Sequence, residues 1–250
     1  MSELYFYLDG KYSRTNERLL ENFTPGLQMY HGVFETMLVR GKNIEYVDEH
    51  LARMHNGLKV LKIKHAYSLH KLKTIIRSVA RKNPFISTGR LRLMIFQEDR
   101  QVHCACMVIP YKPYSIGKYR NGLRAMVLKT NRSANARHAH VKSLDYGTFA
   151  NALALVRSKG YDEAILINNK GHVHGTSRGN IFVLHQGCWI TPPLSSGCLK
   201  GIMRGKVMDL AERIGMGIQE KNITTHMLYQ AHEAMMTNSL IGVIRFKAHP

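Results

Sequence analysis

The sequence predicts an α+β fold divided into two domains, and three observations carry this reading. Strand-like and helical runs are intermixed without the regular rhythm of a doubly wound parallel sheet. A stretch rich in proline and glycine, residues 110–122, interrupts the periodic segments near the middle of the chain. With 250 residues, 44% of them hydrophobic, the chain can bury a sizeable core as one large domain or two small ones. The division that follows is a small N-terminal domain over 1–112, a linker over 113–121 and a larger C-terminal domain over 122–250.

The elements follow in order. Residues 3–9 are aromatic and apolar, and Asp9-Gly10 is a hairpin-turn signal. Val33 to Val39 and Ile44 to Val47 form a second strand pair, with Gly41-Lys42-Asn43 as the turn. Asp48 is a candidate cap for a helix from about Glu49, in which Leu51, Met54, Leu58 and Leu61 recur at helical spacing. A helix over about Ser68 to Lys82 ends at Asn83-Pro84, and strands follow at Arg90–Phe96 and Val102–Ile109. Beyond the linker, Leu123–Leu128 reads as strand and Tyr146–Lys159 as helix, with Phe149, Leu153 and Val156 on one stripe. Short β-type runs cover 163–168 and 180–184. A helix over 201–214 is expected to turn Val207, Leu210, Ala211 and Ile214 inward.

Composition narrows the function classes. No window reaches the roughly 18 apolar residues of a membrane span, and the N-terminus lacks a signal-peptide layout, so a cytoplasmic protein is expected. Cys104 and Cys106 stand as C-x-C in an apolar run with no second pair at metal-ligand spacing, which reads as buried free thiols and no metal site. The 36 Lys+Arg against 17 Asp+Glu give +19, a field that draws anions. These charges are spread along the whole chain without a tail or block, so small anionic substrates are favoured over nucleic acid.

Lys142 lies in His140-Val141-Lys142-Ser143-Leu144-Asp145-Tyr146, and several other segments keep it company. Met29 to Thr36 reads M-Y-H-G-V-F-E-T, followed by Gly41 and by Glu49-His50-Leu51-Ala52-Arg53. Asn151-Ala152-Leu153-Ala154 and Gly160-Tyr161-Asp162-Glu163-Ala164 come after the lysine, then G-H-V-H-G-T-S-R-G-N-I-F over 171–182. Thr191-Pro192-Pro193-Leu194, Leu199-Lys200-Gly201-Ile202-Met203-Arg204 and Thr237 to Val243, T-N-S-L-I-G-V, complete the series. In order and spacing these blocks resemble the class IV aminotransferase family, which includes branched-chain and D-amino-acid aminotransferases and 4-amino-4-deoxychorismate lyase. The resemblance spans residues 3 to about 246.

That resemblance implies the two-domain fold of pyridoxal-phosphate fold type IV, a cofactor cleft between the domains, and a homodimer. It implies a Schiff base between Lys142 and pyridoxal 5'-phosphate. A lysine suits that role when burial and cationic neighbours lower its pKa. Arg53, the backbone N–H groups of Ile202 and Met203 at a helix start, Asn238 and Ser239 are the implied phosphate donors. Gly201 would let the backbone approach the ligand. Tyr146, Leu199 and Gly175 complete the implied cofactor contacts, and Met29, Phe34 and Arg92 those of the substrate, with Arg92 meeting a carboxylate. His138 and His140 flank the lysine and are worth following.

The departures from the family matter as much as the matches. Gly175 stands where relatives carry a glutamate whose carboxylate pairs with the pyridine nitrogen and keeps the ring an electron sink. His174 alternates to the other side of a strand and substitutes poorly unless a bulge re-aims it. Met203 replaces a threonine, Met29 an active-site tyrosine, and the chain stops soon after its T-N-S-L block. The function expected is a pyridoxal-phosphate-dependent amino-acid aminotransferase-like enzyme with impaired or altered electron-sink chemistry. A degenerate member with a binding or structural role is the alternative. The lyase alternative is weakened by residues 97–103, which lack the arginine–glycine pattern expected there.

Overall fold

The computed structural model describes residues 3–26, 30–130 and 138–250. The chain separates into two compact units, Met1–Pro113 with Val141–Tyr146, and Tyr114–His140 with Gly147–Pro250. The short stretch carrying Lys142 therefore belongs to the first unit, although the segments on both sides of it belong to the second.

The first unit contains β1 (Leu4–Leu8), β2 (Lys11–Thr15), α1 (Glu17–Gly26), β3 (His31–Arg40), β4 (Asn43–Ile44), α2 (Val47–Val60), α3 (Leu69–Lys82), β5 (Thr88–Glu98) and β6 (Gln101–Pro110). Its six strands form an antiparallel sheet in the order β2-β1-β6-β5-β3-β4. β3 and β5 pair over ten residues, from His31↔Gln97 to Arg40↔Thr88. Strand alternation sends Val33, Glu35 and Met37 to one face and Phe34 and Thr36 to the other. The core of this unit joins these strands to Leu51, Met54 and Leu58 of α2 and Leu72, Ile75, Ile76 and Val79 of α3. Asn83, buried at the end of α3, accepts from the Tyr5 N–H at 2.9 Å and donates to the Tyr5 and Val79 carbonyls, which fastens β1 to the helix.

Three local expectations change here. α2 starts at Val47, behind Tyr46 in a left-handed conformation, so Asp48 lies within the first turn, where it pairs with Lys73, and does not cap. α1 is not among the elements read from the sequence, although Leu20 and Phe23, one turn apart, pack on the core of this unit. It starts because the Asn16 side chain accepts from the Leu19 N–H at 2.9 Å. The stretch 113–121 is not bare linker: Ser115 caps the helix α4 (Ile116–Asn121) by accepting from Lys118 N–H at 3.3 Å. Tyr119 donates to the Ile241 carbonyl at 2.6 Å and Lys118 pairs with Asp162 at 2.7 Å, which ties α4 into the second unit.

The second unit continues with β7 (Leu123–Lys129), α5 (Gly147–Ser158), β8 (Glu163–Ile167), β9 (His172–Thr176), β10 (Asn180–His185) and β11 (Cys188–Thr191). After a 3-10 turn at Leu194–Ser196 come α6 (Ile202–Arg213), β12 (Ile218–Glu220), β13 (Ile223–Thr224), α7 (Thr225–Tyr229), β14 (Glu233–Asn238) and β15 (Gly242–His249). Nine strands form one mixed sheet in the order β12-β11-β10-β14-β15-β7-β8-β9-β13. Ala164 and Leu166 pack with Ala152 and Val156 of α5, whereas Ile165, Ile167 and Val173 belong to a separate core cluster. α6 buries the predicted face only in part, at Ala211. Arg204 and Ala211 point inward, and Leu210 and Ile214 are exposed. Arg204 sets this rotation by donating to the Pro192 carbonyl at 3.1 Å and pairing with Glu220. All four cysteines are free thiols, and among the described residues no helix is long and apolar enough to cross a membrane.

Candidate active site

Lys142 is mounted on β3 by the backbone. Phe34 N–H donates to the Lys142 carbonyl at 3.0 Å and Leu144 N–H to the Gly32 carbonyl at 2.9 Å. An antiparallel bridge pairs Val33 with Ser143. This sets the Lys142 Nζ 4.4 Å from the centre of the Phe34 ring and 6.0 Å from that of Tyr146. The two rings meet edge to face at 5.6 Å. Burial, then the Arg53 charge, lowers the Lys142 pKa to about 7; Glu35 opposes the shift and Arg92 adds to it. An amine in this state is a nucleophile at neutral pH.

Beneath the lysine lies a buried ionic group that the residue pattern alone did not single out. Glu35 accepts from Arg53 Nε at 2.8 Å, from an Arg53 terminal nitrogen at 2.6 Å and from His50 Nδ1 at 2.7 Å. Burial pushes the Glu35 carboxyl up, but the Arg53 charge and the hydrogen bonds from Arg53 and His50 outweigh it and hold the value at about 2. The His50 pKa is lowered, chiefly by burial. A neutral His50 beside an ionised carboxylate carries its proton on Nδ1, and its Nε2 is buried without a hydrogen bond. Arg53, implied as a phosphate fork, thus turns two of its nitrogens to Glu35. The signal for this group was present, since Glu35 and His50 both stand inside the matched blocks.

On the opposite face of the strand pair, Arg92 sits with its guanidinium 5.3 Å from the Phe34 ring centre. Its Nε is buried and makes no hydrogen bond to a described residue. Burial, reinforced by Arg90, lowers its pKa to about 10. A desolvated, underused guanidinium close to the lysine is suited to an anionic group of a ligand. Met29, the other substrate candidate of this region, lies outside the described residues.

The remaining candidates belong to the second unit. α6 starts at Ile202 after Gly201, which offers no side-chain cap, so the first-turn N–H groups that include Ile202 and Met203 lack a capping side chain, the arrangement in which a helix start can take an anion. Gly201 has a tighter reason to be glycine than ligand approach, since a Cβ there would lie 1.9 Å from Asn180 Oδ1. Asn180 in turn donates to the Leu199 carbonyl at 2.7 Å. Asn238 is used internally: its Oδ1 accepts from Leu240 and Ile241 N–H at 3.0 and 2.9 Å, and its Nδ2 donates to the Arg178 carbonyl. That spends the side chain implied as a phosphate donor on shaping the turn that carries Ser239. His140, beside Lys142 in sequence, has Nδ1 3.1 Å from the Cys198 carbonyl.

Gly175 adopts φ +152°, and a Cβ there would stand 3.0 Å from the Gly179 carbonyl oxygen. An unbroken motif register suggests room for a glutamate, but this backbone favours glycine itself. Gly175→Glu should therefore lower stability by about 1–3 kcal/mol, the cost of a side chain in a sparsely populated backbone region. Denaturant midpoints of the two proteins measure this, and equal midpoints would refute the conformational reading.

The residues of each unit, taken separately, suit part of a phosphorylated pyridine aldehyde: the Lys142 amine of the first suits its aldehyde, and the uncapped start of α6 in the second suits an anionic group. They differ at position 175, where no carboxylate is present. Comparison with known proteins agrees with this chemistry. A family model described as amino-transferase class IV matches residues 32–248. An aminodeoxychorismate lyase of Bacillus subtilis is 27% identical over 96% of this chain and 85% of its own length. A branched-chain-amino-acid aminotransferase of Escherichia coli is 25% identical over 94% of this chain and 81% of its own. The crystal structure of a branched-chain aminotransferase from Thermoproteus uzoniensis with norvaline superposes with a TM-score of 0.87 at 26% identity, covering 99% of this chain and 88% of that one. A match over most of the chain, on a mixed two-sheet fold of the same kind, makes this protein a member of the class IV aminotransferase family.

Proposed function

We propose that the protein is a pyridoxal-phosphate-dependent amino-acid aminotransferase-like enzyme, active as a cytoplasmic homodimer, with Lys142 as the residue that joins the cofactor. The family depends on pyridoxal phosphate. The observation that carries the reading is the Lys142 amine, held over Phe34 with its pKa lowered to about 7. When bound, the cofactor supplies an aldehyde for the amine and an electron-accepting ring. Lys142 then has two tasks, to attack as a neutral amine and to carry a proton at the substrate Cα. Arg92 orients an anionic group of the substrate, and Phe34 and Tyr146 shield the amine from water. Ile202 and Met203 backbone N–H groups and the Ser239 hydroxyl hold the phosphate, and within the first unit Glu35 fixes the Arg53 charge. Without a carboxylate at position 175, the ring is a weaker electron acceptor, so the chemistry is altered from that of the aminotransferase relatives. The Bacillus subtilis relative keeps a lyase reading open, at an identity comparable with that of the aminotransferase from Escherichia coli.

The test is spectroscopic and pH-resolved. Purified protein given cofactor should gain a near-ultraviolet to visible band, and borohydride should abolish it while fixing the label on Lys142. A lysine with a lowered pKa is protonated and inert below that value. The attachment rate should therefore rise through about pH 7 and level off above it. A rate still climbing toward the ordinary lysine range would contradict the desolvated site. Protein that stays colourless in excess cofactor would leave the degenerate, non-transaminating reading standing instead.

A further inference from the structure

The geometry points to His174 as the group that meets the pyridine nitrogen in place of the missing carboxylate, an inference that rests on the pyridoxal-phosphate reading above. Regular alternation would send His174 and Gly175 to opposite faces of β9. The pairing of β8 with β9 is not regular. Ile165 faces Thr176, Leu166 faces Gly175 and Ile167 faces Val173, so His174 is an extra residue inserted into the ladder. Residues directly opposite one another share a face. Leu166 packs in the cluster with α5, so Gly175 belongs to that face, while Val173 and Ile167 belong to the other cluster. The His174 ring meets Phe149 of α5 at 6.3 Å, nearly edge to face, and Phe149 packs on the same cluster as Leu166. The bulge therefore turns His174 onto the face that Gly175 occupies. The histidine is buried there beside a residue that has no side chain of its own.

In relatives that face presents a carboxylate, which needs a proton on the ring nitrogen to complete the hydrogen bond. A neutral imidazole reverses the roles. Its N–H donates to a ring nitrogen that keeps its lone pair, and no proton is transferred. Glycine at 175 suits this arrangement in two ways. It permits the φ of +152° at the bulge, and it sets no side chain beside the imidazole.

The experiment compares binding of pyridoxal phosphate with that of an analogue whose ring nitrogen is replaced by C–H. Affinity is read from absorbance and from borohydride-fixed label, so no turnover is required. The wild-type protein should prefer the natural cofactor by about 5- to 150-fold, the effect of leaving a buried polar group unsatisfied. His174→Phe keeps a ring against Phe149 but cannot donate, and should lose the preference. His174→Gln, which retains an N–H, should keep part of it. Equal wild-type affinity for the two compounds, or a preference that survives in His174→Phe, overturns the inference while the cofactor reading stands. Failure of wild type to bind either compound removes the cofactor reading itself and this inference with it. Should the variants not fold, the wild-type pair of affinities alone decides.

Discussion

Lys142→Ala should eliminate borohydride-fixed cofactor and slow any amino-group transfer by about 10²- to 10⁴-fold, the range for removing a positioned acid–base group. The loss divides into two parts that separate measurements can read. The first is attachment, since a methyl group cannot attack an aldehyde, so the label should be absent at every pH. The second is proton movement at the substrate Cα, which a small amine added to the solution should restore in part. Lys142 is half-buried, with its ammonium desolvated and next to two arginines that raise the energy of the charged form. The alanine variant should therefore fold at least as well as wild type near and below pH 7. A variant that retains more than about a tenth of wild-type activity would exclude Lys142 from the chemistry, because no acid–base role is that small.

The second large effect falls on Glu35. Glu35→Gln keeps the shape but leaves the Arg53 charge with no carboxylate in a buried setting. Removing one partner of such a pair costs about 3–5 kcal/mol. At roughly 2–4 °C per kcal/mol for a chain of this size, the melting temperature should drop by about 6–20 °C. A second readout separates a structural role from an electrostatic one. Glu35 raises the Lys142 pKa against the downward pull of Arg53 and Arg92. Its neutralisation should therefore move the pH midpoint of Lys142 labelling further down, in protein without cofactor. An unchanged midpoint in a folded variant would show that Glu35 does not sense the lysine. The pH dependence of stability has a definite sign as well. The Glu35 value is depressed to about 2, so its contribution is complete above the ordinary glutamate range and is lost as pH falls toward 2.

What could be read from the sequence was what periodicity and turn chemistry encode. β3 and β5 pair over ten residues because each carries a long apolar run, with its one glycine next to the strand's start. α3 ends where Asn83-Pro84 demands it. α1 was missed because its apolar repeat is short, with Leu20 and Phe23 on the core side, and runs straight into Pro25-Gly26. The face of α6 was misread for a different reason. Apolar spacing favoured Leu210 and Ile214, but a buried arginine with two acceptors decided the rotation. Of the site candidates named from the sequence, Lys142, Arg92, Phe34 and Tyr146 do gather in one unit. Glu35 and His50 stand inside the matched blocks, but a strand–helix pattern does not say that His50 and Arg53 will converge on the Glu35 carboxylate. The bulge at His174 was equally hidden, because it depends on the register of β8, a partner strand whose sequence shows no insertion.

The bridge between Val33 and Ser143 has a consequence for the time at which the site comes into being. Every residue that surrounds Lys142 in the first unit up to Pro113 leaves the ribosome before it does. At about 5–20 residues per second, the interval between Pro110 and Tyr146 is roughly 2–7 seconds. A six-stranded sheet and three helices have that long to close before the lysine is made. Glu35, His50 and Arg53 can thus be in place as a charged socket, awaiting the segment that will dock on β3. Because the lysine arrives by a detour through the second unit, a nascent chain that is cut short anywhere before residue 141 has the strands of the sheet but not the segment that docks on β3.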